Sequence, residues 1–153
     1  MSLFSSNTTA IDIVENFVPV LGADLHYLEA GSGSMLILLH GIGGNAWSWS
    51  EAIAALAERY YVIALDRIGF GDSDKPFLNY RINTLVDFLL EFYRVLNLER
   101  TILFGHDLGG SIAAALAIDR RELVERLVSI DTNPFRTTKS SRVKAFYRPA
   151  TRQ

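Results

Sequence analysis

The stretch Gly105-His106-Asp107-Leu108-Gly109-Gly110 decides how this chain is read. It runs directly from an apolar segment, Thr101 to Phe104, into an Ala-rich one, Ser111 to Arg121. These two segments read as a buried strand and the helix that follows it. Glycines stand two residues before Asp107 and two and three residues after it. A side chain held on so tight a turn needs small neighbours, because its backbone is strained and strand and helix approach closely. The helix start adds unpaired N–H groups and the positive end of the helix dipole. Taken alone, the stretch fits two descriptions equally: a turn that presents Asp107 for chemistry, or an ordinary strand-to-helix turn capped by an aspartate.

Working outward, the chain alternates strand and helix. Phe17 to Leu21 and Asp24 to Glu29 read as short strands about a Gly22-Ala23 turn. Met35 to Leu39 and Tyr61 to Leu65 are continuous apolar runs, the mark of strands buried on both faces. Ser48 to Arg59 is helical, with Trp49, Ile53, Leu56 and Ala57 at three- and four-residue steps. Asn83 to Leu96 is the strongest helix, with Leu85, Leu89, Phe92 and Leu96 on one stripe and Asn83 or Thr84 to cap it. Leu127 to Ile130 is the last strand. The order from Met35 is β-α-β-α-β-α-β, which predicts an α/β fold: a mostly parallel sheet with helices on both faces.

In open α/β sheets ligands bind beyond the strand C-termini. A second glycine cluster, His40-Gly41-Ile42-Gly43-Gly44, leaves an earlier strand there. It breaks the tie, because its backbone can face the Asp107 turn. The N–H groups of Ile42 and Leu108 then form an oxyanion hole, and the Asp107 turn becomes a nucleophile elbow. A phosphate loop does not fit, since neither G-x-G-x-x-G nor G-K-[ST] is present.

Three loops in this order resemble those of the α/β-hydrolase family, over about residues 15 to 132. His40-Gly41 is similar to the family's oxyanion-loop motif. Gly69-Phe70-Gly71-Asp72-Ser73-Asp74-Lys75-Pro76 is similar to its turn after the fourth strand. Gly105, His106, Asp107, Leu108, Gly109 and Gly110 are similar to its nucleophile elbow. With aspartate in the serine position, the resemblance is to the branch of epoxide hydrolases and haloalkane dehalogenases. It implies a truncated α/β-hydrolase fold lacking the last strands and the cap. Residues 1–14 are then a flexible N-terminus, 15–132 a partial core, and 133–153 a basic tail or the start of a cap.

The resemblance implies Asp107 as nucleophile, attacking carbon to form an alkyl-enzyme ester on an epoxide, alkyl halide or ester substrate. An Asp carboxylate is already ionised at neutral pH and needs no base for that step, unlike serine. Hydrolysis of the ester needs a histidine oriented by an acid. The family's histidine follows its eighth strand, whereas this chain carries histidine at 26, 40 and 106 only. In the family, His40 and His106 serve structure, and His26 reads as a packed or surface residue. The acid follows the seventh strand or, in some dehalogenase-like members, the sixth, where Asp131 stands. Dehalogenases hold the halide with side-chain N–H donors, but Leu108 and Ile42 supply none, and Trp47 and Trp49 read as helix-start packing. Epoxide hydrolase-like chemistry therefore ranks above dehalogenation. The alternative is a non-catalytic fragment or interaction module that keeps the half-sheet.

Composition agrees with one globular domain. The chain has 153 residues, 49% hydrophobic and 21% charged. It has no cysteine, which excludes disulfides, thiolate nucleophiles and Cys-based metal sites, and no metal or cofactor is expected. Nine basic and 17 acidic residues precede residue 133, leaving −8. Six basic and no acidic residues follow, giving +6. Phe146 and Tyr147 lie among these cations without an amphipathic period, so nucleic-acid and membrane partners are not expected. No apolar run reaches membrane-spanning length and no signal peptide is read, so a cytoplasmic protein is expected. A sheet ending at Leu127 to Ile130 leaves an open edge, which predicts self-association. Light scattering is expected to show species larger than a monomer at high concentration, together with binding of an apolar-surface dye.

Overall fold

The computed structural model describes residues 11–132, so the predicted tail or cap at 133–153 and most of the predicted flexible N-terminus lie outside the described residues. Six strands, β1 (Val14–Val20), β2 (Ala23–Gly31), β3 (Ser34–Leu39), β4 (Tyr60–Leu65), β5 (Thr101–His106) and β6 (Val124–Ile130), form one sheet in the order β1-β2-β4-β3-β5-β6. Pairs β3–β4, β3–β5 and β5–β6 are parallel, whereas β1–β2 and β2–β4 are antiparallel. The helices are α1 (Ser50–Leu56), α2 (Ile82–Val95) and α3 (Leu108–Asp119). The expected mostly parallel sheet with flanking helices is present.

The alternation of strand side chains splits the interior into two layers. Leu36, Leu38, Val62, Ala64 and Ile102 pack with Ile53 and Ala57 at α1. Their neighbours Ile37, Leu39, Ile63, Leu65 and Leu103 pack with Leu85, Leu89 and Phe92 of α2 and Ile112 and Leu116 of α3. That is why β3 and β4 read as unbroken apolar runs. Phe92 is fully buried and meets Tyr27 edge-on. Burial of a side chain of this size is worth ~1.5–3 kcal/mol.

Several boundaries differ from the sequence reading. The first turn is Leu21-Gly22, both at positive φ, and Ala23 already pairs with Val20. Two consecutive positive-φ residues match the right-handed twist of the flanking strands. A short 3-10 turn, Ala46–Trp49, precedes α1 and is capped by Asn45, whose side chain accepts from Ser48 N–H. Helix α2 begins at Ile82 after Arg81, with no side-chain cap bond, so neither Asn83 nor Thr84 caps it. Its stability comes from the buried face rather than from its first turn. Helix α3 begins at Leu108 and β6 at Val124, each three residues earlier than expected.

The loop leaving β4 is anchored by Asp66, which is fully buried. Its carboxylate accepts from Ala46 N–H at 2.5 Å, His26 Nδ1–H at 2.8 Å and Asp72 N–H at 2.8 Å. His26, itself buried, also donates its backbone N–H to Ser73 Oγ at 2.8 Å. Removing one carboxylate strands the buried Ala46 and His26 donors away from water, at ~1–3 kcal/mol each, and frees Asp72 N–H as well. Asp66→Ala is therefore expected to lower unfolding free energy by about 3 kcal/mol or more, read from urea denaturation.

Candidate active site

Strand β3 pairs with β4 on one side and β5 on the other, so the chain reverses its direction of travel across the sheet at β3. Such a switch point opens a crevice at the strand C-termini. The register sets Leu39 beside both Leu65 and Gly105, which brings the three loops of interest together at this edge.

Asp107 stands between β5 and α3 with φ 50° and ψ −118°. A non-glycine residue there is strained and persists only when its surroundings hold it. Four backbone bonds do so. Asp107 N–H donates to Ile130 O at 3.1 Å, and Asp107 O accepts from Gly110 N–H at 3.1 Å, Ser111 N–H at 3.2 Å and Thr132 Oγ1 at 2.8 Å. The close approach requires glycine at 109, where a Cβ would overlap the carbonyl oxygens of Leu39 and His40. Asp107 occupies the N-cap position of α3, yet its side chain makes no cap bond to the helix turn. Instead Ile42 N–H donates to Asp107 Oδ2 at 3.0 Å. The N–H groups of Ile42 and then Leu108 hold this carboxyl below the usual carboxylate range, with smaller help from His106 and Arg67 against a burial penalty. The Ile42 N–H thus faces the Asp107 carboxylate directly.

The Gly41 loop supplies the opposing wall. A Cβ at Gly41 would come within 2.9 Å of Asp107 Cβ and His106 Nδ1, so only glycine lets the loop reach the carboxylate. His40 is buried and donates from Nδ1 to Gly41 O at 2.8 Å, while its Nε2 accepts from Arg67 N–H at 3.2 Å. One nitrogen donates and the other accepts, so the ring is neutral. Burial pushes its pKa down to about 4. His106 is half-buried against Gly41. An open cleft of about 320 Å³ adjoins the turn, lined by Gly41, Ile42, Trp49, His106 and Ile130 among others.

Asp131 directly follows β6, is exposed, and takes φ 48°. Its neighbours Ile130 and Thr132 both bond to the Asp107 backbone. His26 lies with Asp66 rather than at the Asp107 turn. The sequence reading did not single out Arg67, whose guanidinium is buried, donates to Gly41 O at 3.1 Å and lies 4.4 Å from the Phe70 ring centroid. The available signal was an arginine placed immediately after a buried strand, in a glycine-rich loop. Trp49, read as packing, both packs on the α1 layer and lines the cleft. Among the described residues no helix is long and apolar enough to cross a membrane.

A family model described as the alpha/beta hydrolase fold matches residues 35–153, and the chain belongs to that family. A soluble epoxide hydrolase from Corynebacterium sp. (strain C12) is 40% identical over 123 residues, covering 80% of this chain and 43% of that protein. A 2-hydroxy-6-oxo-6-(2'-aminophenyl)hexa-2,4-dienoic acid hydrolase from Metapseudomonas resinovorans is 37% identical over 119 residues, covering 75% of this chain and 41% of that protein. The solved epoxide hydrolase CorEH without ligand superposes with a TM-score of 0.78 at 40% identity, covering 80% of this chain and 44% of its own. The chain thus spans less than half the length of these relatives.

The neutral buried imidazole gives a pH test. His40 takes up a proton near pH 4 in the folded state and near 6.5 when unfolded. Between these values the unfolded state binds more protons, so stability falls as pH is lowered through the window. The contribution is complete above pH 6.5 and amounts to about 3 kcal/mol. Urea midpoints from pH 7 to pH 4 are expected to fall along this course, and His40→Asn is expected to flatten it.

Proposed function

We propose that this chain carries the nucleophilic half of an epoxide hydrolase-like site, with Asp107 as nucleophile and the N–H groups of Ile42 and Leu108 as its oxyanion hole. The observation that carries this reading is the Ile42 N–H bond to Asp107 Oδ2, made by an aspartate whose backbone is strained so that its side chain leaves the helix cap. The two carboxylate oxygens are thereby given different roles. Oδ2 rests in the hole, and the lone pair of Oδ1 attacks an epoxide carbon. The carbon–oxygen bond of the ring breaks, the released alkoxide takes a proton from water, and a hydroxyalkyl ester forms on Oδ1. Water attack on the ester carbonyl then places negative charge on Oδ2, where the two N–H groups already point. Preorganised donors of this kind are worth ~10²–10³ in rate per donor.

Epoxides suit this site better than alkyl halides, because Ile42 and Leu108 offer no side-chain donor to a departing halide. The similarity to an epoxide hydrolase over four-fifths of the chain supports the same choice. Asp131 is the candidate acid, by its position beside the residues that grip Asp107. Among the described residues neither His40, neutral and bonded at both nitrogens, nor His26, committed to Asp66, is available as a base. Binding or single alkylation without turnover is the second reading that this favours for the 153 residues alone.

A reactive aromatic epoxide is expected to add its full mass to the chain once, on Asp107, without multiple turnover. The labelling rate should follow the ionised carboxylate, rising with pH to a plateau reached at or below the usual carboxylate range. Intact-mass spectrometry across pH checks both points. Labelling that survives in Asp107→Asn would overturn the assignment.

A further inference from the structure

The carbonyl of Gly41 and the N–H of Ile42 belong to one peptide group. A planar trans peptide carries these two groups on opposite sides, so fixing one end aims the other. The N–H end holds Asp107 Oδ2 at 3.0 Å. The carbonyl end is gripped by two side chains, His40 Nδ1–H at 2.8 Å and Arg67 Nη2–H at 3.1 Å, and by the Gly44 N–H at 3.2 Å. We propose that Arg67 is a positioning residue for the Asp107 site, aiming and polarising the Ile42 N–H through the shared Gly41–Ile42 peptide. This inference rests on the reading of Asp107 as the reacting group.

Three observations carry it. First, Gly41 has no side chain to restrain its own backbone, and a peptide beside glycine turns over easily unless held from outside. With its carbonyl so engaged, this peptide cannot turn over without breaking both buried side-chain bonds as well as the bond from Gly44 N–H. Second, a cationic donor on the carbonyl draws electron density along the amide, which strengthens the N–H as a donor. Third, the guanidinium is only 4% exposed, yet its Nε and Nη1 have no partner among the described residues. Fold stability alone disfavours such a group, since a buried cation with orphaned donors is costly. The burial lowers its pKa to about 10, with Asp107 acting in the opposite sense, so it is still charged at neutral pH. Phe70 covers its face at 4.4 Å, which keeps the charge close to the loop without supplying an acceptor. The groups that face the Asp107 carboxylate are then the N–H groups of Ile42 and Leu108 and the side chains of His106 and Arg67.

The test is nuclear magnetic resonance on the full chain, with ¹⁵N at Ile42 and ¹³C in the Asp107 carboxyl, in wild type, Arg67→Lys and Arg67→Met. In the Met variant the Ile42 amide proton is expected to move upfield, and the Asp107 midpoint to rise by about half a unit to one unit. In the Lys variant the charge stays but the planar donor is lost. The Ile42 resonance should move there while the Asp107 midpoint stays near the wild-type value. Epoxide labelling should slow about tenfold in both, less than removal of a whole donor costs. Folded variants with wild-type Ile42 resonance and Asp107 midpoint would overturn the proposal. Should both variants fail to fold, the wild type still decides. A through-hydrogen-bond coupling between Arg67 Nη2 and the Gly41 carbonyl supports the proposal, and its absence overturns it. Wild-type chain that resists the epoxide, while the variants show the expected resonance shifts, would sink the nucleophile reading and leave the Arg67 inference standing.

Discussion

The carboxylate of Asp66 is the constraint on which the rest of the site hangs. It is sealed from water and draws together β2 through His26, the turn into α1 through Ala46, and its own loop through Asp72. A buried carboxylate is tolerated only when donors surround it, and these three come from segments far apart in sequence. Arg67 is the next residue, so anchoring Asp66 also places the Arg67 backbone on His40 and its guanidinium on Gly41. From there one peptide group leads to Asp107. The site is thus a relay of short polar contacts laid over a core that is otherwise hydrocarbon.

Much of this was legible in the residues. The apolar runs of β3 and β4 and the glycines around Asp107 show the central strands and the sharp turn, because each feature is local. Placing Ile42 and Leu108 opposite Asp107 needed only the assumption that both loops leave neighbouring parallel strands, and the Leu39–Gly105 register meets it. What stayed hidden depends on contact between distant residues. His26 and Asp66 are 40 positions apart, and no local pattern announces their bond. Arg67 carries no local signature of burial that sets it apart from the other cations of the chain. Its burial follows from the way Phe70 and the Gly41 loop fold over it, which strand and helix periodicity cannot reveal. The starts of α2 and α3 were misplaced for a related reason: tertiary packing and the Asp107 turn set them, not capping preference.

The hydrogen bond from Ile42 also breaks the symmetry of the Asp107 carboxylate. In water its two oxygens are interchangeable. Here Oδ2 is held by the Ile42 N–H, and the backbone that presents the pair has no easy rotation left. Aspartate in a turn built around small residues is therefore not equivalent to serine there, since it brings a pair of atoms that the loop can assign separately.

The strand order has a consequence for the moment of assembly. Strand β3 is central, yet both strands that flank it come later in the chain, β4 after about one helical crossover and β5 after two. As the polypeptide emerges from a ribosome, the β1–β2 hairpin can close at once. The hydrocarbon faces and open edges of β3 must wait for partners whose contacts span long stretches of sequence, and such pairings form slowly. The last partner to arrive leads directly into Asp107. Completion of the central sheet and the meeting of Asp107 with the Ile42 N–H are therefore one event, and a nascent chain halted before β5 would hold the glycine loop with nothing to receive its N–H.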